Sequence, residues 1–240
     1  MCYHTSVKTK GNQIAANYNA PFPDQDKFEP IYHANGFALP TLPVLLKDNN
    51  DKQIDLIRWG YIPGNSESME SANKFARTRL NAMSEKVFYN SYGETIFTNR
   101  CIIPVTGIFE SKHVGKEKVP YLIHPKVQPF FNLIGIYHDW EEPSSSQVIR
   151  SFAILTGVAN EFMADIHNSA KRMPLMIDIS QIDYWLDPSL SKSSIKEMMN
   201  PCDDRDMAAY EVSRILNKAK IDSNIPEILE EVRNPAVNKE

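Results

Sequence analysis

The sequence is poor in the features that sort a protein into a class at sight. It has three cysteines, Cys2, Cys101 and Cys202; that odd number, widely scattered, excludes a disulfide framework. No CxxC or HxxxH pair occurs, so spacing gives no zinc site, and neither metal nor cofactor is expected. No apolar run is long enough to cross a bilayer as a helix. The opening MCYHTSVKTKGNQ lacks the apolar stretch of a signal peptide and any lipobox ahead of Cys2. A reduced, cytoplasmic protein without membrane contact is expected. Basic residues are not in excess either: 26 Lys and Arg face 30 Asp and Glu, a net charge of −4. That balance argues against coating nucleic acid or membrane through overall charge, though it leaves room for a local basic groove. Repeats and low-complexity tracts are missing too.

What is present is ordinary for a globular protein with a real core: 42% hydrophobic and 23% charged residues. Strand-like runs rich in β-branched and aromatic residues fill the first two-thirds. They are PVLLK (43–47), QIDLIRWGYI (53–62), RCIIPVTGIFE (100–110), VPYLIHP (119–125), PFFNLIGIYHDW (129–140) and IRSFAILTG (149–157). Helical patterns are fewer. SESMESANKFA (66–76) opens on serine and acidic residues, and ANEFMADIH (159–167) sets Phe162 and Ile166 on one face. ISQIDYWLD (179–187) and SKSSIKEMM (191–199) read as surface helices, and EEPSSSQ (141–147) as a polar turn between strands. The stretch starting at Pro226 reads as a helical turn or two before a frayed tail. The reading is one α+β domain over 1–240 with a mostly antiparallel, barrel-like β core and short flanking helices. Its motifs fall within about 1–190, and 200–240 forms a C-terminal extension that adds nothing to the functional argument.

Cys2 raises the functional question. Loss of Met1 would leave an amine and a thiol two carbons apart on one residue. An α-amine, with a pKa near 7.7–8.0, is roughly one-tenth neutral at pH 7, whereas a lysine is mostly inert. The thiol, at about 8.5, is within reach of activation by a neighbouring base. Three polar residues sit among apolar neighbours. Asn81 in TRLNAMSE is either a cap for a helix over AMSEKVF or part of a site. Glu110 is a solvent-facing strand end or a desolvated acid. His167 is scaffold or catalyst. Trp59 is core or an aromatic wall for splayed bases.

Taken together, the N-terminal MC, RWGYIP (58–63), NAMSE (81–85), RCIIPVTGIFE (100–110), FAILTGVAN (152–160) and IHNSAKRMP (166–174) resemble the SOS response-associated peptidase family. These are the abasic-site processing proteins of bacteria and eukaryotes. The resemblance implies that Cys2, exposed by loss of Met1, forms a thiazolidine with the opened sugar of an abasic site in single-stranded DNA. It implies catalytic roles for Cys2, Asn81, Glu110 and His167, with Glu110 shuttling protons. For DNA it points to His4, Trp59, Arg77, Arg79, Thr156 and Arg172, with Lys74, Arg100 and Lys171 clustered nearby. Met83 stands where the family usually has an arginine, Ser111 where it often has tryptophan, and His4 where it often has arginine. The stretch from His167 to Arg172 is longer than in many members. Two other readings stay open: a cysteine-type or self-cleaving peptidase using the Cys2 thiol, and a non-covalent reader of single-stranded DNA. Weak lyase activity through the same Schiff base is expected, as is a monomer, cytoplasmic and nucleoid-associated when bound to DNA.

Overall fold

The apolar runs become strands buried on both faces. The computed structural model of the chain describes residues 2–48, 51–89, 92–218 and 221–232. In chain order its strands begin with β1 (His4–Val7), β2 (Ile31–Asn35), β3 (Thr41–Asp48), β4 (Asp51–Trp59) and β5 (Asn81–Met83). The longer central strands follow: β6 (Arg100–Val105), β7 (Gly107–Val114), β8 (Glu117–Pro125), β9 (Phe131–Glu141) and β10 (Val148–Val158). β11 (Arg172–Pro174), β12 (Met176–Ile177) and β13 (Met207–Glu211) complete the set. The helices are short: α1 (Gly11–Tyr18), α2 (Met69–Thr78), α3 (Thr95–Thr98), α4 (Glu161–Ile166), α5 (Ile182–Trp185) and α6 (Lys192–Met198).

Five strands close on themselves in the order β10–β4–β3–β6–β9 and back to β10. Every neighbouring pair in the ring is antiparallel except β4 with β10. This is the mostly antiparallel barrel expected from the sequence. β6 is buried along its whole length, as are Phe131–Ile136 of β9 and Ser151–Gly157 of β10. One set of their side chains fills the barrel and the other meets covering elements, so these segments read as continuous apolar runs rather than alternating ones. Gly135 is needed there, because a Cβ would stand 2.6 Å from Ile103 and 2.8 Å from the Ala153 carbonyl.

The run RCIIPVTGIFE is two strands, not one. Thr106 separates them: its backbone N–H (2.7 Å) and its hydroxyl (3.0 Å) both donate to the Ser6 carbonyl. Past that hinge β7 leaves the barrel and joins a second, antiparallel sheet ordered β13–β8–β7–β1–β2.

A lane change on β10 places the next element. β4 pairs with Ser151 and Phe152, and Gly60, at φ +116°, then turns the chain away. β5 returns to occupy the same lane further on, with Asn81, Ala82 and Met83 opposite Ile154, Leu155 and Thr156. Asn81 is therefore on a strand and does not cap a helix. The pull of β10's unpaired edge outweighs the helical propensity of AMSEKVF.

Residues 221–232 run across one face of the second sheet. Asn224 Oδ1 accepts from the backbone N–H of Tyr32 (2.8 Å) and of His33 (3.1 Å) on the edge strand β2. Ile228 is buried against Phe109, Leu122 and Val212. At the opposite edge the Val232 N–H donates to Glu211 on β13 at 2.9 Å.

Candidate active site

Segments far apart in the sequence converge on Cys2. β1 pairs with β7 through Thr5–Ile108 and Ser6–Gly107. Continued backward, that register runs Tyr3 and Cys2 alongside Glu110 and Ser111. Asn81, brought in by β5, donates its Nδ2–H to the Cys2 carbonyl at 2.8 Å. α4, capped by the Asn160 side chain on the Met163 N–H, ends at His167, whose Nε2 stands 3.9 Å from Glu110 Oε2. The structure therefore brings Cys2, Asn81, Glu110 and His167 together.

α4 is tied to β7 beyond that contact. Asn168 accepts from the His113 N–H (3.0 Å) and donates to the His113 carbonyl (2.9 Å). Lys112 Nζ meets Asp165 Oδ2 at 2.6 Å. These bonds set how far His167 stands from Glu110.

Burial governs the electrostatics. Cys2 is fully buried, and burial together with the charge of nearby Glu110 pushes its thiol far above the ordinary range. The His4 backbone N–H, directed at the sulfur, opposes that shift. Desolvation pushes Glu110 up to about 7. It lowers His167, which stays neutral at neutral pH. The Arg172 carbonyl sits 2.7 Å from His167 Nδ1 and only accepts, so Nδ1 carries the proton and Nε2, turned toward Glu110, is the accepting nitrogen. Asn81 Oδ1 and Glu110 Oε1 are buried acceptors without a hydrogen-bond donor among the described residues. Two such acceptors beside a cysteine suit a substrate that brings donors, such as an amine or a hydroxyl. Among the described residues no three His, Cys, Asp or Glu side chains are grouped to hold a metal.

The residues marked for DNA contact divide. Trp59 is corrected: it is fully buried, stacked on Phe152 with ring centres 6.2 Å apart, and its indole N–H donates to the Leu80 carbonyl. No face is left for a base. Thr156 is fully buried, and its Oγ1 accepts from Arg172 at 3.3 Å. Arg172 is gripped by both oxygens of Glu85 and by the Thr156 carbonyl, so it positions His167 and the segment after β5 before it meets any phosphate. Arg77 is exposed on α2, and Arg79 lies 4.7 Å over the Phe75 ring.

His4 is part of a chain that the sequence did not announce. Its Nδ1 lies 2.9 Å from His33 Nε2, and His33 Nδ1 lies 2.6 Å from Ser223 Oγ. Burial lowers both rings, His33 to about 4, so His4 offers a neutral ring at the position the sequence pointed to for DNA contact. Ser223 and Asn224 also correct the expectation that nothing after residue 200 bears on the site. Asn168, in the turn-forming IHNSA, was the one missed residue with a local signal.

A family model described as SOS response associated peptidase (SRAP) matches residues 1–219. The chain is 29% identical over 234 residues to the abasic site processing protein YoqW of Bacillus subtilis (strain 168), covering 96% of this chain and 99% of that protein. To the abasic site processing protein HMCES of Xenopus tropicalis it is 25% identical over 252 residues, 90% of this chain and 71% of that one. Among solved structures, a protein from Bacteroides thetaiotaomicron aligns with a TM-score of 0.88 at 32% identity, over 97% of this chain and all of the other. A Bordetella bronchiseptica protein, with a TM-score of 0.72 at 18% identity over 88% of this chain and 100% of that one, shares the fold.

Proposed function

Since the chain belongs to the SOS response-associated peptidase family, we propose that it processes abasic sites by bonding covalently to the opened sugar in single-stranded DNA. The reading is supported chiefly by the convergence of Asn81, Glu110 and His167 on a buried Cys2. Relatives whose names describe abasic site processing agree with it.

The chemistry begins once Met1 is gone, Met1 itself lying outside the described residues. The Cys2 amine attacks the C1′ aldehyde and the N–C1′ bond forms. The aldehyde oxygen leaves as water, and the thiol sulfur closes onto C1′ to give a thiazolidine. Of the two protons in that water, one comes from the amine and one from the thiol. Glu110, titrating near 7, accepts and returns protons at neutral pH. His167 Nε2 holds a sugar hydroxyl on the far side, and Asn81 fixes the Cys2 backbone while its Oδ1 receives the amine. A buried, protonated thiol is a poor nucleophile toward an outside peptide. Toward an iminium carbon four bonds away, where closure makes a five-membered ring, it gains the effective molarity of held reactants. That contrast favours crosslinking over general proteolysis.

The test is a denaturing gel of protein with single-stranded DNA carrying one uracil, with and without uracil–DNA glycosylase. A heat-tolerant band is expected only with glycosylase, and not from Cys2→Ala or from protein with an uncleavable N-terminal tag. No band from protein shown by intact mass to begin at Cys2 would reject the reading.

A further inference from the structure

We propose that Phe88 and Tyr89, with Lys192 and Lys196 of α6, form a stacking platform for a base of single-stranded DNA close to the reaction centre. The inference rests on single-stranded DNA being the substrate. Its starting point is charge that has no counterpart. Beside the site Arg172 is spent on Glu85 and Lys112 on Asp165. Lys192 and Lys196 form no ion pair among the described residues. Their ammonium groups lie over aromatic rings instead, Lys192 at 5.0 Å from the Phe88 ring centre and 4.8 Å from Tyr89, Lys196 at 5.7 Å from Phe88. Tyr89 is 73% exposed, the large aromatic ring most open to solvent among the described residues.

An exposed ring beside unpaired cations is the composition that holds single strands: bases stack on the π-face and phosphates meet the charge. The chain also places it correctly. Asn81 on β5 leads directly into the turn 84–89, and Glu85 in that turn is clasped by Arg172. The Arg172 carbonyl in turn bonds His167. The turn is thus tied to His167 through Arg172, whose side chain holds Glu85 and whose carbonyl holds the imidazole. With Trp59 buried, Tyr89 is the ring placed to receive a base.

The experiment measures anisotropy of a fluorescein-labelled oligothymidylate, which has no abasic site and so reports non-covalent binding. Tyr89→Ala is expected to weaken binding about tenfold, and Tyr89→Trp to restore it. Lys192→Gln with Lys196→Gln should flatten the slope of log affinity against log salt by about 1.4. The three native tryptophans, Trp59, Trp140 and Trp185, are buried, so the indole fluorescence added by Tyr89→Trp reports the surface and should be quenched by the oligonucleotide. Unchanged affinity in Tyr89→Ala, or a loss that Tyr89→Trp does not restore, would overturn the proposal. The crosslinking gel, run in parallel, separates this outcome from a failure of the abasic-site reading. A wild-type protein that binds oligothymidylate but never crosslinks rejects that reading and leaves the platform standing.

Discussion

His167 Nε2 and Glu110 Oε2 stand 3.9 Å apart, with both side chains close to nine-tenths buried. The gap is too long for a hydrogen bond between them and short enough for one substrate hydroxyl to bridge it. The two groups are set apart in protonation as well as in space. Burial brings Glu110 to about 7 while keeping the imidazole neutral.

The first prediction concerns rate against pH. With Glu110 as proton acceptor, single-turnover crosslinking rises through about pH 7, and again near 8 as the Cys2 amine deprotonates. Glu110→Gln should lose the lower inflection and slow the reaction by on the order of 10²-fold. Gel time courses from pH 5.5 to 9 decide it. An inflection near 7 that persists in the variant assigns the proton elsewhere.

The same carboxyl makes stability depend on pH in a defined direction. Its folded pKa, about 7, lies above the ordinary 4.5. Folding therefore costs nothing extra below pH 4.5, costs progressively more between 4.5 and 7, and levels off above. Glu110→Gln should unfold at nearly the same urea concentration as wild type at pH 4. At pH 8 it should be more stable by about 3 kcal/mol. Equal stabilities at pH 8 would contradict the desolvated carboxylate.

Asn168 holds β7 and the end of α4 in register through the two His113 backbone bonds. Asn168→Ala should lower the crosslinking rate about tenfold through misplacement of His167. Affinity for undamaged single strands should not change. Asn168→Asp keeps the acceptor for the His113 N–H and should fall between the two. An Asn168→Ala protein that reacts at the wild-type rate would mean that Lys112–Asp165 alone maintains the spacing.

Trp59 offers a converse case. Trp59→Phe loses the bond to the Leu80 carbonyl and some buried volume, so a stability loss of about 1–2 kcal/mol is expected by thermal or urea unfolding. Single-strand affinity should stay within twofold. A large loss of affinity with stability intact would restore Trp59 to the DNA surface.

The barrel was legible because its strands are apolar on both sides: PFFNLIGIYHDW and IRSFAILTG have no helical period and are bounded by turn residues. Cys2, Asn81, Glu110 and His167 were singled out by motif order and lie together in the fold, though nothing local marks Asn81 as sitting at a strand end. The elements around Cys2 were harder. β1 (HTSV) and β2 (IYHAN) are short and half polar, and α1 begins at Gly11 without a side-chain cap. Gly11 looks like a helix breaker, yet a Cβ there would stand 2.7 Å from the Gln25 carbonyl. The roles of His33, Ser223 and Asn224 come from pairings about 190 residues apart, and no window of sequence contains them.

The segment at 221–232 has a consequence in time. It bonds β2 at one edge of the second sheet and β13 at the other, and through Ser223 it touches the ring that leads to His4, two residues from Cys2. During synthesis β2 emerges early and waits for a partner made about 190 residues later. Until residue 224 has left the ribosome, β2 has an open edge with two unmet N–H groups, a template for pairing with any other exposed strand. The ring beside Cys2 is buttressed by residues made some 190 positions later.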